Sequence, residues 1–292
     1  MALDSMKEIF EQMAQKNKPF WEIVLEDDME TRQVTRSQSM AKMLLTWQAM
    51  VDAADSYTGR RRSVSGLVGG DGMKMRQYCI RGEAMSGGYV SEVIAEALSM
   101  AESNACMCRI VAAPTAGACG VLPAVLLPLC KYEELTQHQL LEALYVAAGI
   151  GSIIAYKASI AGASGGCQAE IGTASAMAAG ALVALRGGEG EQIGHAVAMA
   201  LKNLMGLVCD PVAGLVEVPC VKRNVIGAVN AVSAENMAVA GITSRIPVDE
   251  VIDDMGEVGD ALPVSLRETG LGGLAATPTG RQEAERITRA EH

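Results

Sequence analysis

Apolar residues recur at helical spacing along almost the whole of this chain. Residues 3–17 and 36–57 both carry the pattern. In the second, Met40, Leu44, Trp47, Val51 and Ala54 share a face, and a Thr35-x-x-Gln38 capping box opens the run. Residues 88–103 repeat it through Val90, Val93, Ile94, Ala97, Leu98 and Ala101, and Thr136-x-x-Gln139 is a second capping box ahead of Leu140, Leu144 and Ala148. Further helices are predicted over about 168–185, 191–207 and 221–241. The first stops at Gly187-Gly188, and the second puts Ile193, Val197, Leu201 and Leu204 on one side. From about Gly256 the pattern becomes turn-rich. The stretch from Arg267 to Gly280 is expected to be an extended tail lying on the domain, because its density of Gly and Pro forbids a regular helix.

Two uncharged stretches invite a membrane reading. Residues 111–130 have a spanning length, but Pro114, Pro123 and Pro128 interrupt them and Gly117 and Gly120 loosen them, which predicts buried loop and helix. The run 143–155 is too short to span and closes at Lys157. Between the first helices and the rest, a basic, Gly-rich connection over residues 60–72 shows no helical periodicity. It is the best boundary, dividing an N-terminal helical arm, 1–59, from a larger helical domain, 60–292.

Composition sharpens this picture. Half of the 292 residues are apolar, enough for a substantial core, yet only 3% are aromatic while Ala, Gly and Met abound. Such a sequence suits an all-α fold whose helices approach closely through small side chains. The formal charge of −10 argues against nucleic acid or an anionic membrane as partner. The one basic run, Arg60-Arg61-Arg62, is short and reads as a solvated loop. The opening residues lack a basic segment followed by an apolar one, so a cytoplasmic location is expected, and there eight cysteines point to free thiols or metal ligands.

The cysteines differ in setting. Cys79, Cys119 and Cys130 sit in apolar or mixed surroundings and read as small core residues. Cys106-Met107-Cys108 is a pair that lacks a Cys-x-x-Cys or a matching His pair to complete a zinc site. Cys167 lies in Gly165-Gly166-Cys167-Gln168-Ala169-Glu170, ahead of a predicted helix. Cys209 is expected to end a helix before Asp210-Pro211, and Cys220 follows Pro219 at the start of another. Three helix ends meeting at one point would favour the thiolates that metals need, and three thiolates on a four-iron cube leave one iron open.

These phrases carry a resemblance. Arg109 to Ala124, with its Pro114-Thr115-Ala116-Gly117-Ala118-Cys119-Gly120 core, together with Ala158 to Glu170 and Cys209 to Asn224, is similar to the catalytic alpha chain of the iron-sulfur-dependent L-serine dehydratases over about residues 65–280. The resemblance implies a 4Fe-4S cluster ligated by Cys167, Cys209 and Cys220, an all-helical catalytic domain, and a separate beta chain, hence a hetero-oligomer. It implies conversion of L-serine to pyruvate and ammonia without pyridoxal. An open iron acts there as Lewis acid toward the β-hydroxyl while a base takes the α-proton. Cys106, Cys108, Lys157 and Ala161 depart from the family pattern, and the C-terminal cysteine of one-chain members has no counterpart in Arg289-Ala290-Glu291-His292.

The substrate carboxylate needs fixed donors. Ser65 and Gly66 in the Gly-rich loop, and Thr115 and Gly117 in the Pro114 turn, are the candidates. No base stands out: His138, His195 and His292 lie outside the family phrases, so the beta chain is expected to supply it. A Schiff base on Lys157 would need a phosphate cradle, and none of recognisable form is present. Two alternatives remain: an L-cysteine desulfidase on the same scaffold, and a non-catalytic helical scaffold whose thiols fill the core.

Overall fold

Small and apolar residues at helical spacing produce, in a computed structural model describing residues 3–290, thirteen α-helices and, among the described residues, no strand. The first and last two residues, including the candidate base His292, lie outside the described residues. The fold is all-α, as composition and periodicity imply. Helices α1 (Met6–Lys16), α2 (Phe20–Arg32) and α3 (Arg36–Asp55) lead the chain, the third opened by the Thr35–Gln38 capping box. After the Gly-rich loop come α4 (Asp71–Ile80) and α5 (Gly87–Ala105). Then follow α6 (Val121–Tyr132), α7 (Gln137–Lys157) behind the Thr136–Gln139 box, and a single turn, α8 (Gly162–Gly165).

The centre of the molecule is α9 (Thr173–Leu185), whose residues 173–183 are all buried. A helix apolar on every side has to be enclosed. It is ringed by α6, α7, α10 (Gly190–Lys202) and α11 (Cys220–Val239), and its Ala and Gly residues let these neighbours come close. Helices α2 and α3 cover α7, α4 covers α5, and α12 (Val248–Ala261) lies on α10. Met6, Ile9, Phe20 and Trp47 of the first three helices belong to the same apolar core as α9. Helix α7 is long and apolar enough to cross a membrane, but 67% of its apolar window is buried inside the protein, the position of a core helix.

Four local expectations are corrected. Helix α2 goes unpredicted because its buried residues, Phe20, Ile23, Val24 and Leu25, crowd the first two turns and the remainder is acidic and polar, leaving little periodicity. Helix α10 stops at Lys202, so Cys209 does not end a helix; it lies in extended chain paired in parallel with Arg267. The C-terminal region is more helical than its glycines suggest. Gly256 and Gly259 sit inside α12 because that helix presses on Ala158 and α8: a Cβ at Gly259 would stand 2.9 Å from the Gly165 Cα. Beyond the irregular stretch, α13 (Pro278–Ala290) begins at a proline, which is tolerated in a first turn where no N–H is required. Lastly, Cys130 is exposed, whereas Cys119 is fully buried as a core residue should be.

Candidate functional site

Three segments meet at the N-terminal ends of the two central helices. Cys167 immediately precedes a single π-helical turn, Gln168–Gly172, that runs into α9, and Cys220 is the first residue of α11. The positive ends of two helix dipoles therefore lie beside these thiols. Gly166 makes the approach possible. Its φ of +75° is a left-handed value, and a Cβ there would strike the Leu262 side chain at 2.6 Å and the Leu207 carbonyl at 3.0 Å. Gln168, fully buried, locks the segment by donating to the Met255 carbonyl at 3.0 Å and accepting from the Gly206 amide at 2.8 Å. Cys209 is held by the tail: its amide donates to the Leu266 carbonyl at 2.8 Å, and its carbonyl accepts from the Glu268 amide at 2.7 Å. The peptide bond before Pro219, and so just ahead of Cys220, is cis.

All three thiols are buried, and their charges act on one another. Burial pushes Cys167 up to about 12, opposed by the nearby Arg223 guanidinium and reinforced by Glu170. Burial, with the charges of Cys167 and Glu170, likewise takes Cys220 to about 12. Cys209 is raised by burial and by Cys167, Glu268 and Cys220. Without a cation the trio is held as neutral thiols. A bound metal inverts that preference, because it deprotonates the thiols that coordinate it. Among the described residues no three His, Cys, Asp or Glu side chains close on a point at single-ion spacing. The donor set is soft sulfur alone, which suits an iron-sulfur cluster better than a hard cation.

Around the thiols stands a shell of fixed polar groups. Arg223, on α11, donates to the Val208 carbonyl at 2.7 Å and to Asp210 at 2.8 Å, bracing the chain on both sides of Cys209. The other oxygen of Asp210 accepts from the Leu274 amide at 2.7 Å, which fastens the tail to the same loop. Asn224, one turn beyond Cys220 and 1% exposed, accepts from the Gly120 amide at 2.8 Å and donates to the Gly117 and Cys220 carbonyls at 2.8 and 3.0 Å. The Pro114–Gly120 turn is thereby tied to the start of α11.

Of the predicted substrate-binding residues, Thr115 and Gly117 reach the thiols' surroundings. The Thr115 hydroxyl donates to Glu170 at 2.7 Å, and a Cβ on Gly117 would lie 3.2 Å from the same carboxylate. Burial raises the Glu170 carboxyl, Thr115 opposes the shift and the charge of Glu268 adds to it. Ser65 meets the other end of the Cys209–Cys220 loop. The hydroxyls of Ser63 and Ser65 both donate to the buried Glu217, the first at 2.7 Å. The loop's clustered amides are not all free for a ligand, since those of Gly70, Asp71 and Gly72 cap α4 on the buried carboxylate of Glu102. Gly66 differs: its φ is +78° and the space before it is open.

Other candidates lie elsewhere. His138 pairs with Glu142 on α7, the His195 ring accepts from the Ser244 amide at 3.3 Å, and Lys157 is paired with Asp253 at 3.1 Å. Sequence reasoning missed Glu170, Glu217 and Glu268 as site groups. Their signal was present: Glu170 and Glu268 are each the only acid in a phrase dominated by small, apolar or turn-forming residues, and Glu217 shares its phrase only with Asp210.

The chain is similar to known proteins. A family model described as the serine dehydratase alpha chain matches residues 15–275. The chain is 45% identical over 283 residues to a protein of Bacillus subtilis named "Probable L-serine dehydratase, alpha chain", covering 97% of this chain and 94% of that one. It is 38% identical over 285 residues to the "L-serine dehydratase, alpha chain" of Peptoniphilus asaccharolyticus, covering 96% of each. The likeness to "L-serine dehydratase TdcG" of Escherichia coli is 38% over 240 residues, 78% of this chain but 52% of that longer protein. The match extends from α1 through the tail that holds Cys209, and takes in all three thiols and their polar shell; the chain belongs to the serine dehydratase alpha chain family.

Proposed function

We propose that this chain is the catalytic alpha subunit of an L-serine dehydratase, a lyase that eliminates water from L-serine and releases pyruvate and ammonia. Its cofactor in this reading is a 4Fe-4S cluster held by Cys167, Cys209 and Cys220, and pyridoxal takes no part. The observation that carries it is the convergence of three buried thiols, from distant parts of the sequence, at two helix N-termini within the region matched by the family model. When bound, such a cluster supplies a Lewis-acidic iron to the β-hydroxyl.

The chain's own residues do the rest. Arg223, Asp210 and Asn224 hold the ligand loops rigid, so the thiols meet their metal without reorganisation. Thr115 donates to Glu170 and fixes it beside Cys209, while the open face at Gly66 and the Thr115–Gly117 turn offer room and donors for the substrate carboxylate. Lys157 is committed to an ion pair with Asp253, which favours the pyridoxal-free reading. A separate beta chain completes the enzyme and brings the α-proton base. Exposed apolar side chains on the loops around the site, Val64 at 94% and Leu271 at 72% exposure, favour such a partner.

The test is direct. Alpha chain prepared without oxygen, alone and with its beta chain, is given L-serine or L-cysteine, and pyruvate is measured before and after treatment with hydroxylamine. The proposal predicts hydroxylamine-resistant pyruvate from serine that needs the beta chain. Release from cysteine alone would move the assignment to a desulfidase, and an inert assembly free of iron would leave a scaffold.

A further inference from the structure

Cys106 and Cys108 depart from the family pattern, and the candidate centre makes no use of them. Helix α5 ends at Ala105, and Met107 takes a left-handed φ of +58° in the turn that follows. Two bonds close that turn: the Met107 amide donates to the Asn104 carbonyl and the Cys108 amide to the Ser103 carbonyl, both at 2.9 Å. Cys108 is thereby bent back over Cys106, with its Sγ 3.7 Å from the Cys106 carbonyl oxygen. Residues two apart are separated by at most about 7 Å at Cα in a straight chain, and the bend brings this pair into the span of roughly 4.4–6.8 Å that a disulfide needs. Both side chains line one small cavity of about 20 Å³, together with Arg61, Tyr57 and Glu102. Burial raises the Cys106 thiol, and the charge of Cys108 raises it further. From the Gly-rich loop, the exposed Arg61 donates through Nη1 to the Cys108 Sγ at 3.3 Å. Both cysteines are free and half-buried, so small solutes reach them.

We propose that Cys106 and Cys108 are a redox modification site, a dithiol that a small hydroperoxide converts reversibly to an intramolecular disulfide, with Arg61 activating Cys108. Cysteines react as thiolates, and reactive ones are found where a cation lies against the sulfur. The Cys108 sulfur attacks one oxygen of hydrogen peroxide and the O–O bond breaks, giving a sulfenic acid and water. The Cys106 thiol then attacks that sulfur. An S–S bond forms, the S–OH bond breaks, and the Cys106 proton leaves with the hydroxide as a second water. In all, two thiols give up two electrons and two protons, and one peroxide takes them up. A disulfide closed across a single residue in a half-exposed turn is a labile one, which thiol reductants reopen. Arg61 joins this site to the candidate centre, since its loop carries Ser63 and Ser65, which hold Glu217. Oxidation of Cys108 removes the thiol partner of Arg61 and so reaches that loop.

The test treats the full chain, carrying its iron and kept free of oxygen, with stoichiometric hydrogen peroxide, then alkylates the remaining thiols and digests with trypsin. Cleavage after Arg81 and Arg109 releases residues 82–109, whose only cysteines are these two, so events at the other thiols do not enter the reading. This peptide should lose both alkylation sites together and two hydrogens in mass before the exposed Cys130 reacts, and dithiothreitol should restore it. Arg61→Gln should slow the loss by about two- to fivefold, the worth of one exposed charge contact, and Arg61→Lys should slow it less. Cys106→Ser should leave Cys108 as a sulfenic acid that dimedone traps. Three results would each overturn the proposal: loss no faster than at Cys130, an Arg61→Gln rate equal to that of the unaltered chain, or oxygen on either cysteine in place of the S–S bond. The first and third are read on the unaltered chain and need no variant to fold.

Discussion

Replacing Asn224 by leucine isolates what ties the Pro114 turn to the thiol site. The two side chains are close in size, so the change removes polarity more than volume. In the native protein the Asn224 carboxamide accepts from the Gly120 amide and donates to the Gly117 carbonyl, both at 2.8 Å, at a position 1% exposed. Leucine leaves that N–H and that C=O without partners. Each unpaired buried group costs about 1–3 kcal/mol, so the loss is about 2–6 kcal/mol. At roughly 2 °C per kcal/mol for a chain of this size, the thermal midpoint should fall by about 4–12 °C. The assay is denaturant unfolding at matched protein concentration, with hydrogen exchange followed at the Gly120 amide. Exchange there should quicken by more than at amides of α9, because the turn is released before the core opens. A stability change under about 1 kcal/mol, or a Gly120 amide as protected as before, would refute the reasoning.

Three further outcomes follow from packing and charge. Burial raises the Glu96 carboxyl and Arg76 only partly offsets it; as pH climbs through the unfolded value of 4.5 the unfolded chain loses its proton first, so this group's contribution to stability falls. Glu96→Gln should therefore be the more stable protein at pH 7 and lose its advantage below about pH 4, and a less stable Gln variant at neutral pH would contradict this. Gly180→Ala should destabilise by about 1–3 kcal/mol despite alanine's better helix propensity, because its Cβ would stand 2.2 Å from Ile150 Cδ1 where α9 crosses α7; adding Ile150→Val should recover part of the loss in chemical denaturation. Asp210→Ala removes the acceptor for both Arg223 and the Leu274 amide, so limited proteolysis should cut within residues 264–280 much faster than in the unaltered chain.

Much of this architecture can be read from the chain before any coordinates. Both Thr-x-x-Gln boxes cap the helices they announce, and the buried helices α7 and α9 appear where charge vanishes. What sequence reasoning loses is whatever depends on contact between distant segments. Glycine reads as a breaker, yet Gly256 and Gly259 sit within α12 because another segment presses against them. Cys209 reads as a helix end, whereas its position comes from a bridge to Arg267, fifty-eight residues on. The site shows the same divide. The thiols announce themselves by their Gly- and Pro-rich settings, but Ser65 alone gives no sign that its hydroxyl serves Glu217, and Thr115 none that it serves Glu170. Polar pairs of this kind join residues 55 and 152 positions apart, a separation no local pattern encodes.

The central claim is that three particular sulfurs hold the metal. It is tested most directly by iron and acid-labile sulfide content, with Mössbauer spectra, on chain prepared without oxygen, comparing Cys167→Ser, Cys209→Ser and Cys220→Ser with the buried control Cys119→Ser. The account predicts about four irons and four sulfides in the unaltered chain and in the Cys119 variant, with cluster lost or degraded in each of the other three. A full, unaltered cluster in any of those three, or a folded parent chain that takes up no iron, would contradict it.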